Sequence, residues 1–261
     1  MKKNVLITAG SKNTGFCIAE TFAKKGYNVH ITSRSLENAQ EATEKIKKKY
    51  PGISAFAYSL EMSEVEDIVR VFGEVRKNCS SLDIFVANAA QLGVGLDIFN
   101  TDEQSFNDIM NTNVRGTFFC CREAGRLMTK NGGSIVIMGS IQSKGAGEGR
   151  MVYSMSKAAI NALCKSLAYD FAPYNIRVNC LVAGAIHTNR WENVDEEVLK
   201  GRRINYLTGK EAEMEEIANG VLYLSQDVAR SITGTELVID SGVSVPLLPY
   251  KDRKKFKREG F

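Results

Sequence analysis

No uninterrupted apolar segment in this sequence approaches the ~20 residues that a helix needs to cross a membrane. The N-terminal stretch MKKNVLITAG has an apolar run that is too short for a secretory signal peptide. The six cysteines form no C-x-x-C pair and show no zinc-ligand spacing, so neither a disulfide framework nor a metal site is expected. We therefore expect a cytoplasmic protein with reduced thiols, no bound metal and no membrane partner.

The chain also lacks an excess of charge outside its C-terminus. Its net charge is +4, and residues 251–261 contain six Lys/Arg against two Asp/Glu, which accounts for all of it. The preceding part of the chain is neutral overall, which argues against a nucleic-acid partner. We expect the tail to be a solvated end, with contact to an acidic partner as the alternative.

Prolines are few, no Pro/Ser-rich linker divides the chain, and the apolar runs are short. Runs that are apolar almost throughout predict buried strands at 4–8, 28–32, 55–59, 82–88, 134–140, 176–182 and 235–240. Helical spacing predicts helices at 15–26, 35–50, 63–78, 105–131 and 152–174. Ser35 is predicted to cap the second helix, and Ser63 with Glu66 to form a capping box on the third.

This alternation of strands and helices predicts an α/β fold with helices on both faces of a mostly parallel seven-stranded sheet. We predict a single doubly wound, Rossmann-type domain over residues 1–250 that binds a dinucleotide, followed by the basic tail at 251–261. In such sheets ligands bind beyond the carboxyl ends of the strands, where the strand order reverses.

The turn between the first strand and the first helix can offer helix N–H groups to a pyrophosphate. Ala9 and Asn13 stand where a dinucleotide fingerprint has glycine. Asn13 tolerates a positive φ, and Gly10 can take over the close approach lost at Ala9. An ordinary tight turn is the alternative. The candidate cofactor-binding residues of this turn are Thr8, Gly10, Ser11, Lys12, Asn13, Thr14 and Gly15.

The second strand ends in TSRS, without the acidic residue that a free ribose 2′-hydroxyl favours. Arg34 can form charge-assisted hydrogen bonds to a phosphate, and Ser33 and Ser35 add hydroxyls. Together with Lys12, these residues favour NADP(H), with NAD(H) as the less favoured cofactor. The alternative for Arg34 is an exposed arginine at a helix start.

Residues 134–160 contain the candidate chemistry. Tyr153 and Lys157 are four residues apart, so on a helix they share one face. A nearby ammonium favours the ionised phenol, which suits Tyr153 to general acid/base catalysis. Ser140 ends the preceding strand and can hold a substrate oxygen. A Y-x-x-x-K pair on its own also fits an exposed helix surface.

These motifs, in this order, resemble the short-chain dehydrogenase/reductase family over about residues 3–245. Ser140 precedes Tyr153 by thirteen residues, the family's usual spacing, and Lys157 follows. IMNTNVRGTFF places Asn113 at the family's catalytic asparagine. The resemblance is strongest to the 3-oxoacyl carrier-protein reductases and to sugar and cyclic-alcohol dehydrogenases.

Three further segments match family motifs that surround the cofactor or end the sheet. LDIFVANAA (82–90) resembles the N-A-G motif, VAGAIHT (182–188) the P-G-x-I-x-T segment at the nicotinamide, and ITGTELVIDSG (232–242) the last strand. Ala90 and Ala183 replace a family glycine and proline, and Glu61 stands where an adenine-binding Asp is common. The cofactor contacts implied here are Glu61, Met62, Asn88, Ala89, Gly184, Ile186 and Thr188.

The resemblance implies an enzyme that transfers hydride between NADP(H) and a small-molecule carbonyl or secondary alcohol. Tyr153 would donate the proton and Ser140 would stabilise the developing oxyanion. Lys157 would hold the nicotinamide ribose, as Tyr153 also would in part, and Asn113 would position a water that links Lys157 to solvent.

Two alternatives stay open. NAA and AGAIHT also resemble enoyl carrier-protein reductases, but those proteins usually place Tyr seven residues before Lys, where this chain has Arg150. The replaced glycines favour a nucleotide-sensing regulatory protein without turnover, whereas the four intact catalytic positions oppose it.

The polar segment 187–209 lies where the family has its mobile substrate loop. Its residues Arg190, Trp191, Arg202 and Arg203 can line a pocket or bind an anionic carrier, and a solvated helical lid is the alternative. Family members commonly assemble through their long middle helices, so a homotetramer, or else a homodimer, is expected.

Overall fold

The computed structural model describes residues 2–191 and 194–246. Within these ranges the strands are β1 (Asn4–Ile7), β2 (Asn28–Ser33), β3 (Ala55–Ser59), β4 (Ile84–Ala87), β5 (Gly133–Ser140), β6 (Ile176–Ala183), β7 (Ile186–His187), β8 (Ala212–Glu213) and β9 (Glu236–Ile239). Seven of them form one parallel sheet in the order β3-β2-β1-β4-β5-β6-β9. Strands β7 and β8 pair separately, also in parallel.

Helices cover both faces of the main sheet. They are α1 (Asn13–Lys24), α2 (Leu36–Lys49), α3 (Val65–Asn78), α4 (Glu103–Met110), α5 (Thr117–Met128), α6 (Met151–Phe171), α7 (Glu196–Arg203) and α8 (Met214–Ser225). Helices α1, α2 and α8 pack on one face, and α3, α5 and α6 pack on the other. The predicted doubly wound, Rossmann-type fold is confirmed.

The strands are apolar on both sides because each face of the sheet meets a helical layer. In β1, Leu6 packs toward α3, α5 and α6, whereas Val5 and Ile7 pack toward α1, α2 and α8. All three side chains are fully buried. Burial of one such side chain stabilises the fold by roughly 1.5–3 kcal/mol, which explains why continuous apolar runs mark the strands.

The cysteines are free thiols. Cys120, Cys121, Cys164 and Cys180 are buried in the core, as expected of small apolar side chains, and Cys17 and Cys79 are half-buried. In the described ranges no cluster of three or more His, Cys, Asp or Glu is placed to hold a metal ion. No helix there combines the length and apolar character that crossing a bilayer requires.

The helix boundaries follow local capping in two places and a competing local hydrogen bond in a third. Ser35 caps α2 as predicted, because its hydroxyl accepts a hydrogen bond from the N–H of Asn38 at 3.2 Å. Gly26, with φ of +83°, follows the end of α1. The capping box predicted at Ser63 is wrong: α3 begins two residues later, and the Ser63 hydroxyl donates to the carboxylate of Glu61 at 3.0 Å.

The helix predicted at 105–131 is divided. It begins at Glu103, because the carboxylate of Asp102 accepts from the N–H of Ser105 at 2.8 Å. A π-helical turn, Asn111–Gly116, then joins α4 to α5. Single π-helical turns often occur at functional sites.

His30 is a buried strand residue beneath the helices rather than a member of the site. Its ring stacks on Phe56 with 4.7 Å between centroids, and its Nδ1 lies 2.8 Å from the Tyr58 hydroxyl. Burial lowers the pKa of His30 to about 4. The imidazole of His30 is therefore neutral in the folded protein at pH values at which it is already protonated in the unfolded chain.

We expect this histidine to destabilise the fold in mild acid. Below the unfolded-state pKa of about 6.5, the unfolded chain binds the proton and the folded protein does not, so stability falls by about 3 kcal/mol as the pH drops to about 4. His30→Phe should remove most of this slope in urea unfolding measured from pH 7 to pH 4. Equal slopes for wild type and His30→Phe would refute the prediction.

Candidate active site

A cleft of ≈ 1190 Å³ opens at the carboxyl ends of the central strands. It lies between the ends of β1 and β4, where the strand order reverses. From β1 the chain continues to β2 on one side, and from β4 it continues to β5 on the other. Ser140, Tyr153 and Lys157 all line this cleft. The sequence motifs that predicted catalysis therefore meet at one site.

The first turn has the backbone of a glycine-rich loop despite its replaced glycines. Ala9 has φ of +51° and Asn13 has φ of +47°, both in the left-handed region. Gly15 is required by contact: a Cβ there would lie 2.2 Å from the carbonyl oxygen of Ala9 and 2.7 Å from Nδ2 of Asn88. The backbone of the turn thus follows the course of a glycine-rich loop, with Ala9 and Asn13 in the left-handed conformation that glycine usually adopts.

Hydrogen bonds attach this turn to the chain after β4. The hydroxyl of Thr8 accepts from the N–H groups of Asn88 and Ala89 at 2.9 and 3.0 Å. In return, the side-chain amide of Asn88 donates to the carbonyl oxygens of Thr8 and Ala9 at 3.1 and 3.3 Å. Thr8 is buried and supports the cleft from beneath.

The groups at the N-terminus of α1 fit a phosphorylated dinucleotide. Lys12 precedes the helix without capping it, so the first helix N–H groups have no side-chain cap. The Oδ1 of Asn13 is buried without a hydrogen-bond partner among the described residues, and as an acceptor it suits a hydroxyl or amino group of a nucleotide rather than a phosphate oxygen. At the end of β2, the exposed Arg34 makes no ion pair within the described ranges. Free donors and unpaired cations of this kind are what phosphate groups bind.

Most of the predicted cofactor-binding residues line the cleft. Those that do are Ser11, Lys12, Asn13, Thr14, Gly15, Ser33, Arg34, Glu61, Met62, Asn88, Ala89, Tyr153, Lys157, Gly184, Ile186 and Thr188. Thr8, Gly10 and Ser35 lie outside its lining, and Gly10 instead packs against Ile7 and Ile31. Thr8 instead binds the chain after β4, and Ser35 caps α2.

Lys157 is buried below the cleft floor beside the candidate acid. Its ammonium donates to the carbonyl oxygen of Met138 at 2.7 Å and lies 5.7 Å from the ring centroid of Tyr153. Burial lowers the pKa of Lys157 to about 8. Tyr153 stands one helical turn earlier, half-buried and facing the cleft, so the predicted side-by-side arrangement on α6 is present.

Ser140 and Asn113 are fixed by different means. The Ser140 hydroxyl accepts from the N–H of Gln142 at 3.3 Å, and its own proton has no acceptor in the described part of the chain. Asn113 sits in the π-helical turn, is buried, and does not line the cleft. Its side chain bonds both backbone groups of Gln91, at 2.7 and 2.9 Å, and the Ser156 hydroxyl at 3.0 Å. It thereby joins the loop after β4 to α6.

Some residues of the polar segment 187–209, after β6, line the cleft, and others pack elsewhere on the fold. Trp191 and Arg202 line the cleft, whereas Arg203 binds Glu211 through two short hydrogen bonds, at 2.8 and 2.5 Å. Those hydrogen bonds lower the pKa of Glu211 to about 2. The side chain of Arg190 lies outside the described residues.

Several cleft residues had no assigned role from sequence, among them Gln142, Arg150, Tyr206 and Val243. Arg150 could have been found, because it precedes Tyr153 by three residues and must lie beside it at the start of α6. Its guanidinium is 5.9 Å from the Tyr153 ring centroid. The other three reach the cleft through loop and long-range contacts that spacing does not reveal.

A doubly wound sheet with an uncapped helix N-terminus and a Ser, Tyr and Lys set in one cleft defines a nucleotide-binding α/β protein of the dehydrogenase class. The family model described as enoyl-(acyl carrier protein) reductase matches residues 9–244. The chain belongs to the short-chain dehydrogenase/reductase family.

Relatives of this chain have several activities. Human 3-oxoacyl-(acyl-carrier-protein) reductase is 31% identical, over 95% of this chain and 100% of its own length. The 3alpha-hydroxysteroid dehydrogenase of Mediterraneibacter gnavus is 29% identical, over 91% of this chain and 95% of its own.

Solved structures agree closely with the fold. An NADPH-dependent reductase involved in bacilysin biosynthesis superimposes with a TM-score of 0.89 at 25% identity, covering 95% of this chain and 100% of its own. A short-chain type dehydrogenase/reductase from Mycobacterium marinum gives a TM-score of 0.86 at 27% identity, covering 94% and 96%.

The buried ammonium of Lys157 should lower the free energy of unfolding. Lys157→Met keeps the length of the side chain and removes the charge, so at pH 7 the variant should be more stable than wild type by about 2 kcal/mol, after the lost hydrogen bond is deducted. The folded-state pKa of Lys157 lies below its unfolded value, so wild type gains stability as the pH rises above about 8. The difference should shrink by pH 10 in denaturant unfolding. A difference that is independent of pH, or a less stable variant at pH 7, would contradict this prediction.

Proposed function

We propose that this protein is an NADP(H)-dependent oxidoreductase that transfers hydride between the nicotinamide and a carbonyl or secondary alcohol. The observation that supports it best is the meeting of Ser140, Tyr153 and Lys157 in one cleft with the uncapped N-terminus of α1. Family membership supports oxidoreductase chemistry in general.

In the reduction that we propose, the carbonyl carbon would accept the hydride that a bound nicotinamide cofactor supplies. Tyr153 donates the proton to the carbonyl oxygen, and the Ser140 hydroxyl, whose proton is uncommitted in the described residues, donates a hydrogen bond to the same oxygen. The products are the alcohol and the oxidised nucleotide. In the reverse direction Tyr153 accepts the proton.

Lys157 and Asn113 have supporting roles in this proposal. The ammonium of Lys157 lies beside the phenol and can both favour its ionised form and hold the nicotinamide ribose. Asn113 positions Gln91 and Ser156 around α6, and it would keep the water path that links Lys157 to solvent.

The choice of NADP(H) rests on the end of β2. Arg34 is exposed, faces the cleft, and has no carboxylate partner in the described ranges, while Ser33 adds a hydroxyl and Lys12 a second cation. These groups suit a ribose 2′-phosphate. The solved NADPH-dependent reductase noted above is consistent with this choice.

The two alternatives make different predictions. An enoyl reductase would reduce a conjugated carbon–carbon double bond, and the family model bears that description. A regulatory protein would bind NADPH without turnover, yet the left-handed backbone kept at Ala9 and Asn13 removes the main argument for it. A panel that includes enoyl thioesters beside ketones and aldehydes separates the three.

We further infer assembly and location from the family. Phe118 on α5 and Tyr169 on α6 are large and exposed, at 44% and 84%, which suits subunit contacts between the long middle helices. We propose a homotetramer, or else a homodimer, in the cytoplasm.

Removal of the phenol should stop turnover and leave binding intact. Tyr153→Phe should lower kcat/KM for a reduced carbonyl compound by about 10²- to 10⁴-fold, because the proton donor is lost. NADPH affinity, measured by fluorescence titration, should change little. Tyr223→Phe, at an exposed phenol on α8 that does not line the cleft, is the matched control and should behave as wild type. Full activity in Tyr153→Phe, or a wild type that binds NADPH and reduces nothing, would overturn the proposal.

Removal of the guanidinium at the end of β2 should change cofactor preference. Arg34→Ala should weaken NADPH binding by about ten- to 100-fold, the value of a charge-assisted hydrogen bond, and leave NADH binding nearly unchanged. Lys47→Ala, on the exposed side of α2, is the control for charge alone. The assignment fails if both nucleotides lose affinity equally or if neither does.

A further inference from the structure

The cations that line the cleft outnumber its carboxylates. Among the described residues the lining contains one carboxylate, that of Glu61, and five positively charged side chains: Lys12, Arg34, Arg150, Lys157 and Arg202. Lys12 and Arg34 belong to the proposed phosphate contacts, and Lys157 belongs to the proton-transfer group. Arg150 and Arg202 have no part in hydride transfer or in nucleotide binding as described so far.

Arg202 is placed to bind a ligand rather than the fold. Its guanidinium lies over the indole of Trp191, 5.4 Å from the ring centroid, and no carboxylate pairs with it in the described ranges. Its neighbour Arg203 holds Glu211 through two hydrogen bonds. Among the described residues, therefore, Arg203 has an anionic partner, whereas the adjacent Arg202, which lies over Trp191 at the cleft wall, has none.

Arg150 lies beside the candidate acid. One nitrogen of its guanidinium donates to the carbonyl oxygen of Leu92 at 3.1 Å, which fixes the side chain. The group is 5.9 Å from the Tyr153 ring centroid, on a residue that lines the cleft. The remaining donors of the guanidinium have no acceptor in the described part of the chain. A fixed guanidinium beside the reacting group can orient a substrate anion.

We propose that the carbonyl substrate carries an anionic group, a carboxylate or a phosphate, which Arg202 and Arg150 bind while the carbonyl oxygen lies at Tyr153. The proposal rests on the proposed function for the reacting end of the substrate. A guanidinium matches both anions with two parallel hydrogen bonds, and the stack on Trp191 holds its plane. An anionic substrate would balance the charges of Arg150 and Arg202, to which no contact with the nucleotide phosphates is assigned.

The test compares three benzaldehydes of similar size: para-carboxybenzaldehyde, its neutral methyl ester, and para-formylphenyl phosphate. Wild type should reduce at least one of the two anionic compounds with kcat/KM at least tenfold above that of the ester. Arg202→Met should lower this preference by about ten- to 100-fold, mainly through KM, and should leave the ester unaffected. Arg202→Lys should restore part of it. The relative preference for the carboxylate and the phosphate identifies the anion.

Lys200→Met is the matched control, because Lys200 is on the same helix, carries the same charge, and does not line the cleft. It should leave the preference unchanged. Equal losses for the ester and the anions in Arg202→Met would overturn the proposal, and so would a wild type that prefers the ester. A loss of NADPH affinity in Arg202→Met without a change in KM for the anions would assign Arg202 to the cofactor instead.

Failure of catalysis and failure of anion binding can be told apart. Calorimetric titration of para-carboxybenzaldehyde and para-formylphenyl phosphate into the NADP⁺ complex of Tyr153→Phe measures binding without turnover. Binding of either anion that is lost in the Tyr153→Phe, Arg202→Met double variant supports the anion site even if wild type reduces none of the three compounds. No anion binding in a protein that does reduce the ester would refute this inference and leave the proposed function standing.

Discussion

The hydrogen bonds between Thr8 and the chain after β4 are the interaction on which the cleft depends. Two adjacent parallel strands separate here, and their last backbone groups would lack partners if nothing replaced the sheet ladder. Thr8 accepts two N–H groups from the β4 side, and Asn88 returns two hydrogen bonds to the carbonyl oxygens of Thr8 and Ala9. This exchange satisfies both ends and fixes how far apart the two loops stand.

The same cluster explains why the loop keeps its shape without its glycines. The carbonyl of Ala9 must face Asn88, and that leaves no room for a Cβ at Gly15. Ala9 takes a left-handed conformation that costs an L-residue roughly 1–2 kcal/mol, and Asn13 takes it at a lower cost. The surrounding hydrogen bonds hold the loop in this conformation, so the N–H groups of α1 stay directed into the cleft.

The sequence predicts features that repeat or that depend on near neighbours. The seven strands are recognisable because each is buried on both faces, and Tyr153 with Lys157 because helical spacing alone puts them on one side. Features set by distant contacts are missed. At the π-helical turn a Cβ on Gly116 would lie 2.2 Å from the carbonyl oxygen of Met62, a residue far away in the chain. The capping box at Ser63 fails for a different, local reason, because the Ser63 hydroxyl donates to Glu61, only two residues away.

The cations of the cleft differ in burial, and the difference follows from what each must do. Arg34 and Arg202 are exposed, so water solvates them, and in their proposed roles phosphate or carboxylate oxygens would replace that water. Lys157 is buried and loses part of its affinity for the proton as a result. A group that recognises a ligand must exchange partners, whereas a group that supports proton transfer must stay beside the phenol in every state. The fold therefore leaves Arg34 and Arg202 solvated at the edges of the cleft, holds Arg150 half-buried, and among these described cations accepts the cost of full burial only at Lys157.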